Sequence, residues 1–512
     1  METISLKKQM RVTLIQPPLI DVAGKKIAYG IEAEVPLGIA SLAAVGEKEG
    51  YQCEVIDSIV AGYGNIYQYG KYQVFGLRFG EIARRVLEFN SNVVAISCIF
   101  FNQLESALKT AEEIWQANPD IKVIIGGIAP KPYYEEVIIK PYVDFIIKAE
   151  GETAFVHLLN KLYQKEGDFH QVDGLIYKEN GQIKSNPKEY YIENLDELPL
   201  PAYHLFDIEK YFKIGVPFGC KKKNRFMNFI TSRGCPFDCI FCAARDIWSR
   251  KVRMHSSEYV LRGIDFLIKK YNIEEIHFSD ENLTYDYDRA AAIFNGLKEM
   301  DITWGANNGI MISSLDDKLI RLMRESGCFS LSLAIESGSQ RVLSEIIKKP
   351  MLLKKLFSVV KECKKCKILC RGFFVIGMPG ETKKDIWDTF LLSRYLNLEQ
   401  NEIQIALPYP GTRLYDICRE KNYFSKDFNL ECLNNDGGPI TTEAFTPDFL
   451  YMAKDIDRFM FYFRNGKKRK LGLIRDLFRK YKLKIICVIY CMLKFELKLL
   501  YIRIARGERY FC

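Results

Sequence analysis

Three cysteines in one loop offer the clearest chemistry in the sequence. The stretch Thr231-Ser-Arg-Gly234-Cys235-Pro236-Phe237-Asp238-Cys239-Ile-Phe-Cys242 spaces them by three and then two residues, beside a Gly and a Pro. Three thiolates can hold three irons of a 4Fe–4S cluster and leave the fourth iron open to a substrate or cofactor. A closed structural zinc site would want a fourth ligand nearby. Cys220 and His255 are the only candidates in range, and neither has finger-like spacing. A second run, Cys363-Lys-Lys-Cys366-Lys-Ile-Leu-Cys370, invites a second cluster. There, residues 356–365 fit a helix and Cys370 opens the next strand, so the three thiols are expected to diverge and to be ordinary buried cysteines.

The hydrophobic pattern says what presents this loop. Apolar runs at 12–15, 53–56, 93–98, 123–125 and 145–147 predict buried parallel strands, with amphipathic helices at 38–49 and 102–116 between them. Strand and helix in alternation imply a doubly wound sheet, whose ligand sits beyond the carboxyl ends of its strands. Those ends carry Gln16-Pro17-Pro18, Ser97 with Cys98, Gly126-Gly127 and Glu150-Gly151-Glu152. Asp173-Gly174, then Glu179-Asn180-Gly181, predict a hairpin turning at Asn-Gly, followed by a proline-stiffened linker over 196–203. Six further strands, at 226–231, 275–279, 303–307, 330–335, 371–376 and 403–407, predict an incomplete (β/α) barrel with its chemistry at the strand carboxyl ends. The cysteine loop follows the first of them.

A cysteine triad so spaced, after a first barrel strand, resembles the radical S-adenosylmethionine (SAM) superfamily. Further stretches match in family order: Ile276-His-Phe-Ser-Asp280-Glu281-Asn282, Ala334-Ile-Glu336-Ser337-Gly338-Ser339, Phe374-Val-Ile-Gly377-Met-Pro379-Gly380-Glu381-Thr382 and Leu407-Pro408-Tyr-Pro410-Gly411-Thr412. With Val35-Pro36-Leu37-Gly38-Ile-Ala-Ser41-Leu, Gly126-Gly127 and Ala149-Glu150-Gly151-Glu152, they are similar to the cobalamin-dependent branch over residues 10–425. The resemblance implies a Rossmann-like cobalamin-binding domain (1–165), a hairpin and Pro-containing linker (166–219), a radical SAM partial (β/α)6 barrel (220–425) and a mainly α-helical C-terminal region (426–512).

The same resemblance gives Cys235, Cys239 and Cys242 as cluster ligands, with the open iron chelating SAM and an electron from the cluster cleaving its C–S bond to a 5′-deoxyadenosyl radical. It puts Asp280, Glu281 and Asn282 near the methionyl group or the substrate, and Glu336 and Ser337 against SAM's polar groups. Gly377 and Pro379 would let the backbone approach the adenine, and Leu37, Gly38, Ser97, Gly126, Gly127 and Glu150 fall to cobalamin. All five histidines, His157, His170, His204, His255 and His277, lie beyond the five-strand core of the first domain, and an Asp-x-His-x-x-Gly signature is absent. Cobalamin held there would be water-ligated or open below, which favours cob(I) and uptake of a methyl cation from SAM; methylcob(III)alamin then gives its methyl to a substrate radical. The implied activity is methyl transfer to an unactivated carbon of a small molecule or lipid, using two SAM per turnover and an electron donor such as flavodoxin or ferredoxin. Ring formation or rearrangement without net methyl transfer, and a non-catalytic cluster- or cobalamin-sensing module, are the alternatives.

Composition bounds the rest. A hydrophobic share of 48% with 27% charged residues excludes wholesale disorder, and 15 cysteines dispersed over 512 residues are no disulfide scaffold. The sequence opens without an apolar region and small-residue cleavage site, and no run of about 18 apolar residues occurs, so a cytoplasmic chain with reduced thiols is expected. The formal charge of +9 is local: residues 466–512 hold fourteen Lys/Arg and three Asp/Glu, a net +11, leaving −2 for the remainder. There, Leu473, Ile474, Leu477, Phe478 and Tyr481 fall at helical spacing among Arg475, Arg479 and Lys482, and residues 485–493 are apolar between Lys484 and Lys494. Such a segment suits a basic amphipathic helix at the inner membrane face, or equally a helix packed on the barrel. No nucleic-acid module accompanies the charge, so no nucleic-acid partner is expected.

Overall fold

The computed structural model describes residues 9–22, 31–100, 103–425, 428, 439–464 and 485–511. In the N-terminal half the strands are β1 Arg11–Gln16, β2 Leu19–Val22, β3 Gln52–Asp57, β4 Ile66–Tyr69, β5 Tyr72–Phe75, β6 Val93–Ser97, β7 Lys122–Gly126, β8 Phe145–Ile147, β9 Leu175–Glu179 and β10 Gln182–Ser185. They continue with β11 Phe226–Phe229, β12 Ser232–Arg233, β13 Arg253–Met254, β14 Glu275–Phe278, β15 Thr303–Ile310, β16 Cys328–Glu336, β17 Leu369–Ile376 and β18 Gln400–Ile405.

The first sheet runs β10-β9-β8-β7-β6-β1-β3. Its five expected strands are parallel, with Val12 beside both Cys53 and Val93, and Ile96 beside Ile125. They read as largely apolar runs, broken by Thr13 in β1 and Glu54 in β3, because helices cover the sheet. Ile15, Val94, Ile96, Val123 and Ile125 form one core with Ile82 and Val86 of helix Phe79–Glu88 and Ala107, Ala111 and Ile114 of helix Leu104–Ala117. Residue 102, where that helix was expected to begin, lies outside the described residues. The hairpin turns at Asn180 and Gly181, both at positive φ as a two-residue turn requires. Rather than standing apart, β9 pairs antiparallel with β8 and carries the sheet two strands further, covering an edge that would otherwise lack partners. A small antiparallel sheet β2-β5-β4 has no counterpart in the sequence reading. Its four-residue strands are too short to show a period, and Tyr67 and Tyr69 meet Phe79 edge-on beside it.

The second large sheet is the partial (β/α)6 barrel, in the order β11-β14-β15-β16-β17-β18. The pairs β11/β14, β14/β15, β16/β17 and β17/β18 are parallel, and a bulge interrupts β16 between Ala334 and Glu336. The chain divides into two compact units: Met1–Pro236 with Ala243–Leu283 and Asp288–Asn308, and Phe237–Cys242 with Thr284–Tyr287 and Gly309–Cys512.

Within the second unit the C-terminal region is mainly helical. Helix Ile485–Tyr501 packs on helices Lys383–Leu396 and Pro447–Arg464. Phe495, Leu499 and Ile502 are buried, Trp387 meets Phe495 at 5.9 Å, and the Tyr510 hydroxyl donates to Asp388 at 2.8 Å. The helix expected over residues 473–481 lies outside the described residues. Among the described residues, no helix is long and apolar enough to cross a membrane.

Candidate active site

The cysteine loop is fixed before its first cysteine. Leaving β11, the chain offers Thr231 and Ser232 to Asp280, which follows β14. Asp280 accepts from the Thr231 N–H (3.1 Å), the Thr231 hydroxyl (2.6 Å) and the Ser232 hydroxyl (2.6 Å), and is 4% exposed. Burial raises its pKa, and the hydroxyl donors oppose that rise. Its neighbour Glu281 accepts from Trp248 Nε1 at 2.8 Å; burial, aided by the Asp280 charge, pushes the Glu281 pKa up to about 7. Asn282 is also buried, and its Nδ2 has no hydrogen-bond partner among the described residues.

Two carboxylates of the Ala149-Glu150-Gly151-Glu152 turn grip the same loop. Arg233 reaches Glu152 at 2.7 Å and Glu150 at 3.3 Å, while Arg253 reaches Glu150 at 2.8 Å. The arginines face each other across β12 and β13, and Ser41 donates to Glu152 at 2.8 Å. All four charged residues are buried, and Arg233 lies 5.0 Å over the Trp248 ring. A Cβ on Gly234, at φ +100°, would meet the Lys251 carbonyl oxygen at 2.3 Å, so only glycine permits this crossing ahead of Cys235.

In the second unit, Cys239 and Cys242 share one turn, closed by a Cys242 N–H to Cys239 O bond of 3.0 Å. Ile240 between them is stitched to the Ile347 carbonyl and the Leu414 N–H. Lys349 bonds Glu336 at 2.9 Å. Burial disfavours its ammonium, but Glu336, Cys239 and Cys242 outweigh that and hold its pKa above the usual value. Glu336 itself sits at φ +67°, a conformation costing a non-glycine residue about 1 kcal/mol, at the carboxyl end of β16. Ser337 is fully buried and turns its hydroxyl to Thr389 at 3.2 Å. After β17, the Gly377 and Met378 N–H groups donate to Glu381 at 2.6 and 2.7 Å; a Cβ on Gly377 would meet Leu450 at 2.7 Å. Gly377 also sits at φ +87°, a backbone conformation that a side chain would strain. Pro379 precedes Gly380 (φ +94°) in a turn that leads into the Thr382–Asp385 capping box.

On the first sheet, Leu37 and Gly38 open helix Leu37–Lys48, Ser97 ends β6 and Gly126 ends β7. A Cβ on Gly38 or Gly126 would meet nothing within 4 Å, whereas one on Gly127 would strike the Cys98 carbonyl oxygen at 2.3 Å. Ile99 and Phe100, next after Cys98, are 41% and 63% exposed. Among the described residues, this end of the sheet exposes apolar Ile99 and Phe100 and leaves space at Gly38 and Gly126, as a corrin face requires. No described histidine lies on it. His277 bonds Glu275, His255 bonds Asp196, and His170 and His204 pair with Asp168 and Glu47.

Among the described residues, no three His, Cys, Asp or Glu side chains converge on a single metal ion. A cubane instead takes one thiolate at each of three irons, which a loop of this spacing supplies. The second cysteine run departs from expectation. Cys366 ends its helix, but Cys363 and Cys370, both buried, lie within hydrogen-bonding reach of each other because helix Leu353–Lys365 packs on the start of β17. Two buried thiols with the third apart fit ordinary core cysteines, and an iron count per chain tests that. Arg233, Arg253, Trp248 and Lys349 escaped the sequence reading, although Arg233 and Glu152 stand inside the quoted motifs.

A cysteine loop on a partial barrel, preceded by a doubly wound sheet with an open, histidine-free edge, defines the class of cobalamin-dependent radical SAM proteins. The radical SAM superfamily matches residues 229–392 and the B12 binding domain residues 32–159. An uncharacterized methyltransferase of Pyrococcus horikoshii is 31% identical over 81% of this chain and 84% of its own length. The cytidylyl-2-hydroxyethylphosphonate methyltransferase of Streptomyces wedmorensis is 30% identical over 77% and 80%. The fold is that of OxsB, a cobalamin-dependent SAM radical enzyme (TM-score 0.71, 16% identity, 99% of this chain and 82% of that one). It is also that of the radical SAM methyltransferase TsrM of Kitasatospora setae (TM-score 0.63, 16% identity, 80% and 75%). The chain belongs to the cobalamin-binding branch of the radical SAM superfamily. It is an enzyme of the methyltransferase kind, and its cofactors are a 4Fe–4S cluster, SAM and cobalamin.

Proposed function

We propose that this enzyme transfers a methyl group from SAM to an unactivated carbon of a small-molecule or lipid substrate, with Cys235, Cys239 and Cys242 holding the cluster. The observation that carries the reading is the presence, in one chain, of a pinned x3–x2 cysteine loop and a sheet edge left open at Gly38 and Gly126. When bound, the cluster supplies the electron that cleaves the SAM C–S bond, and cobalamin supplies the methyl carrier. Lys349 places a positive charge beside the Cys239 and Cys242 thiolates, and Glu336, oriented by Lys349, offers its carboxylate to SAM's polar groups. Glu281 holds a proton that is exchangeable near neutral pH at the carboxyl end of β14. Asn282, whose Nδ2 has no partner among the described residues, supplies a donor to the same region. A one-electron protein donor such as flavodoxin or ferredoxin belongs to this reading, and a peripheral membrane contact through the C-terminal tail is a separate proposal.

Methyl-labelled SAM, dithionite and candidate substrates test it. The reconstituted enzyme should release 5′-deoxyadenosine and pass label into product, and Cys239→Ala should do neither. Deoxyadenosine without labelled product would instead favour ring formation or rearrangement. No deoxyadenosine at all would leave a sensing module.

A further inference from the structure

We propose that the outer face of the C-terminal helix docks the protein on an anionic lipid surface; this goes beyond methyl transfer and is independent of it. The helix has two apolar faces. One carries Phe495, Leu499 and Ile502 and is spent on the protein. The other carries Leu493, Leu497, Leu500, Tyr501 and Ile504, which are 62%, 68%, 54%, 50% and 77% exposed. Their spacing of four, three, one and three residues aligns them in one stripe, about 16 Å long at helical rise. Apart from the adjacent pair Ile99 and Phe100, exposed large apolar residues outside this segment, such as Ile66, Ile139 and Leu352, stand singly in the sequence. A single exposed leucine needs no explanation, whereas a contiguous row of five on a charged chain marks a surface meant to be covered.

Charge selects what covers it. Lys494, Arg503, Arg506 and Arg509 are exposed on the same segment, against Glu496 and Glu508. The sequence leading into the helix, residues 466–484, holds nine Lys/Arg and one Asp. A second copy of the chain docking through this stripe would bring two like segments of net +11 together, since a two-fold interface sets each patch against itself. Nucleic acid would meet the basic groups but give leucines nothing to stack on. Anionic headgroups over an acyl boundary satisfy both features, with the helix lying in the plane of the interface and lysine and arginine reaching outward. Tyr501, whose hydroxyl accepts from Arg506 Nε at 3.2 Å, suits the same level, where an amphipathic ring sits between apolar and polar surroundings.

The test is sedimentation of the full-length reconstituted enzyme with vesicles of phosphatidylglycerol and phosphatidylcholine, against phosphatidylcholine alone. Binding should be about tenfold stronger to the anionic vesicles and should weaken with salt. The double variant Leu497→Glu, Ile504→Glu should lose about tenfold in binding, while its melting temperature and deoxyadenosine release stay at the parent's values because both positions are largely exposed. Equal binding by variant and parent, or equal binding to neutral and anionic vesicles, overturns the proposal. So does a parent dimer that the variant converts to monomer without any vesicle binding. Vesicle binding needs no turnover and deoxyadenosine release needs no vesicle, so failure of one leaves the other standing.

Discussion

At the scale of single residues, Asp280 and Glu381 show carboxylates working as anchors. Asp280 accepts from one backbone N–H and two hydroxyls, Glu381 from two backbone N–H groups, each at a strand end, and each is almost fully buried. Asp280→Ala strands the Thr231 N–H and two hydroxyls, a loss of about 3 kcal/mol in unfolding free energy. It should also lower the iron bound per chain after reconstitution, both readable from urea titration and iron assay. Burial pushes Glu281 and Glu381 up to about 7 and about 8. The folded chain therefore keeps protons that an unfolded glutamate releases above about pH 4.3. Their contribution is intact in acid and is lost as pH rises through the folded values. Unfolding free energy from urea titration should fall between about pH 5 and pH 8, and Glu381→Gln should remove about 4 kcal/mol of that fall. A profile of the same slope in the variant would contradict this.

At the scale of elements, the β12–β13 ribbon and the turn after β8 are bound by four buried charges. Removing one partner leaves the others uncompensated, so Glu152→Gln should cost about 3 kcal/mol in urea unfolding. The double change Glu152→Leu, Arg233→Met should cost clearly less, because it removes both charges of one pair. Gly127→Ala should cost about 2 kcal/mol, since its φ of +115° and the Cys98 carbonyl both exclude a side chain. This layer also shows what the sequence disclosed. The parallel strands were legible because a strand covered on both sides is an apolar run, and the cysteine loop because its spacing is local. The arginine–glutamate pairs were not, since their members stand 81 and 103 residues apart and no short pattern joins them. Nor was the membership of β9 and β10 in the first sheet, which depends on an edge strand needing a partner. Lys349 lies in a plain Lys-Lys-Pro stretch and becomes notable only beside Glu336.

At the scale of the whole molecule, the cysteines sort by surroundings. Cys328, Cys363 and Cys370 are buried, with burial raising the pKa of Cys328, and the Cys363 neighbour followed by burial raising that of Cys370, whereas Cys235, Cys239 and Cys242 are partly exposed. Reconstituted protein should therefore bind about four irons per chain. About eight would mean that the run from Cys363 to Cys370 also holds a cluster.

The anchoring of Thr231, Ser232 and Arg233 by side chains rather than by metal bears on the order of assembly. In small zinc domains metal binding is itself the folding energy. Here the strand exit, the ribbon and its charge partners are held by hydrogen bonds and ion pairs among protein groups. Iron-free protein should therefore unfold in a cooperative thermal transition, and iron and sulfide added afterwards should enter a finished socket.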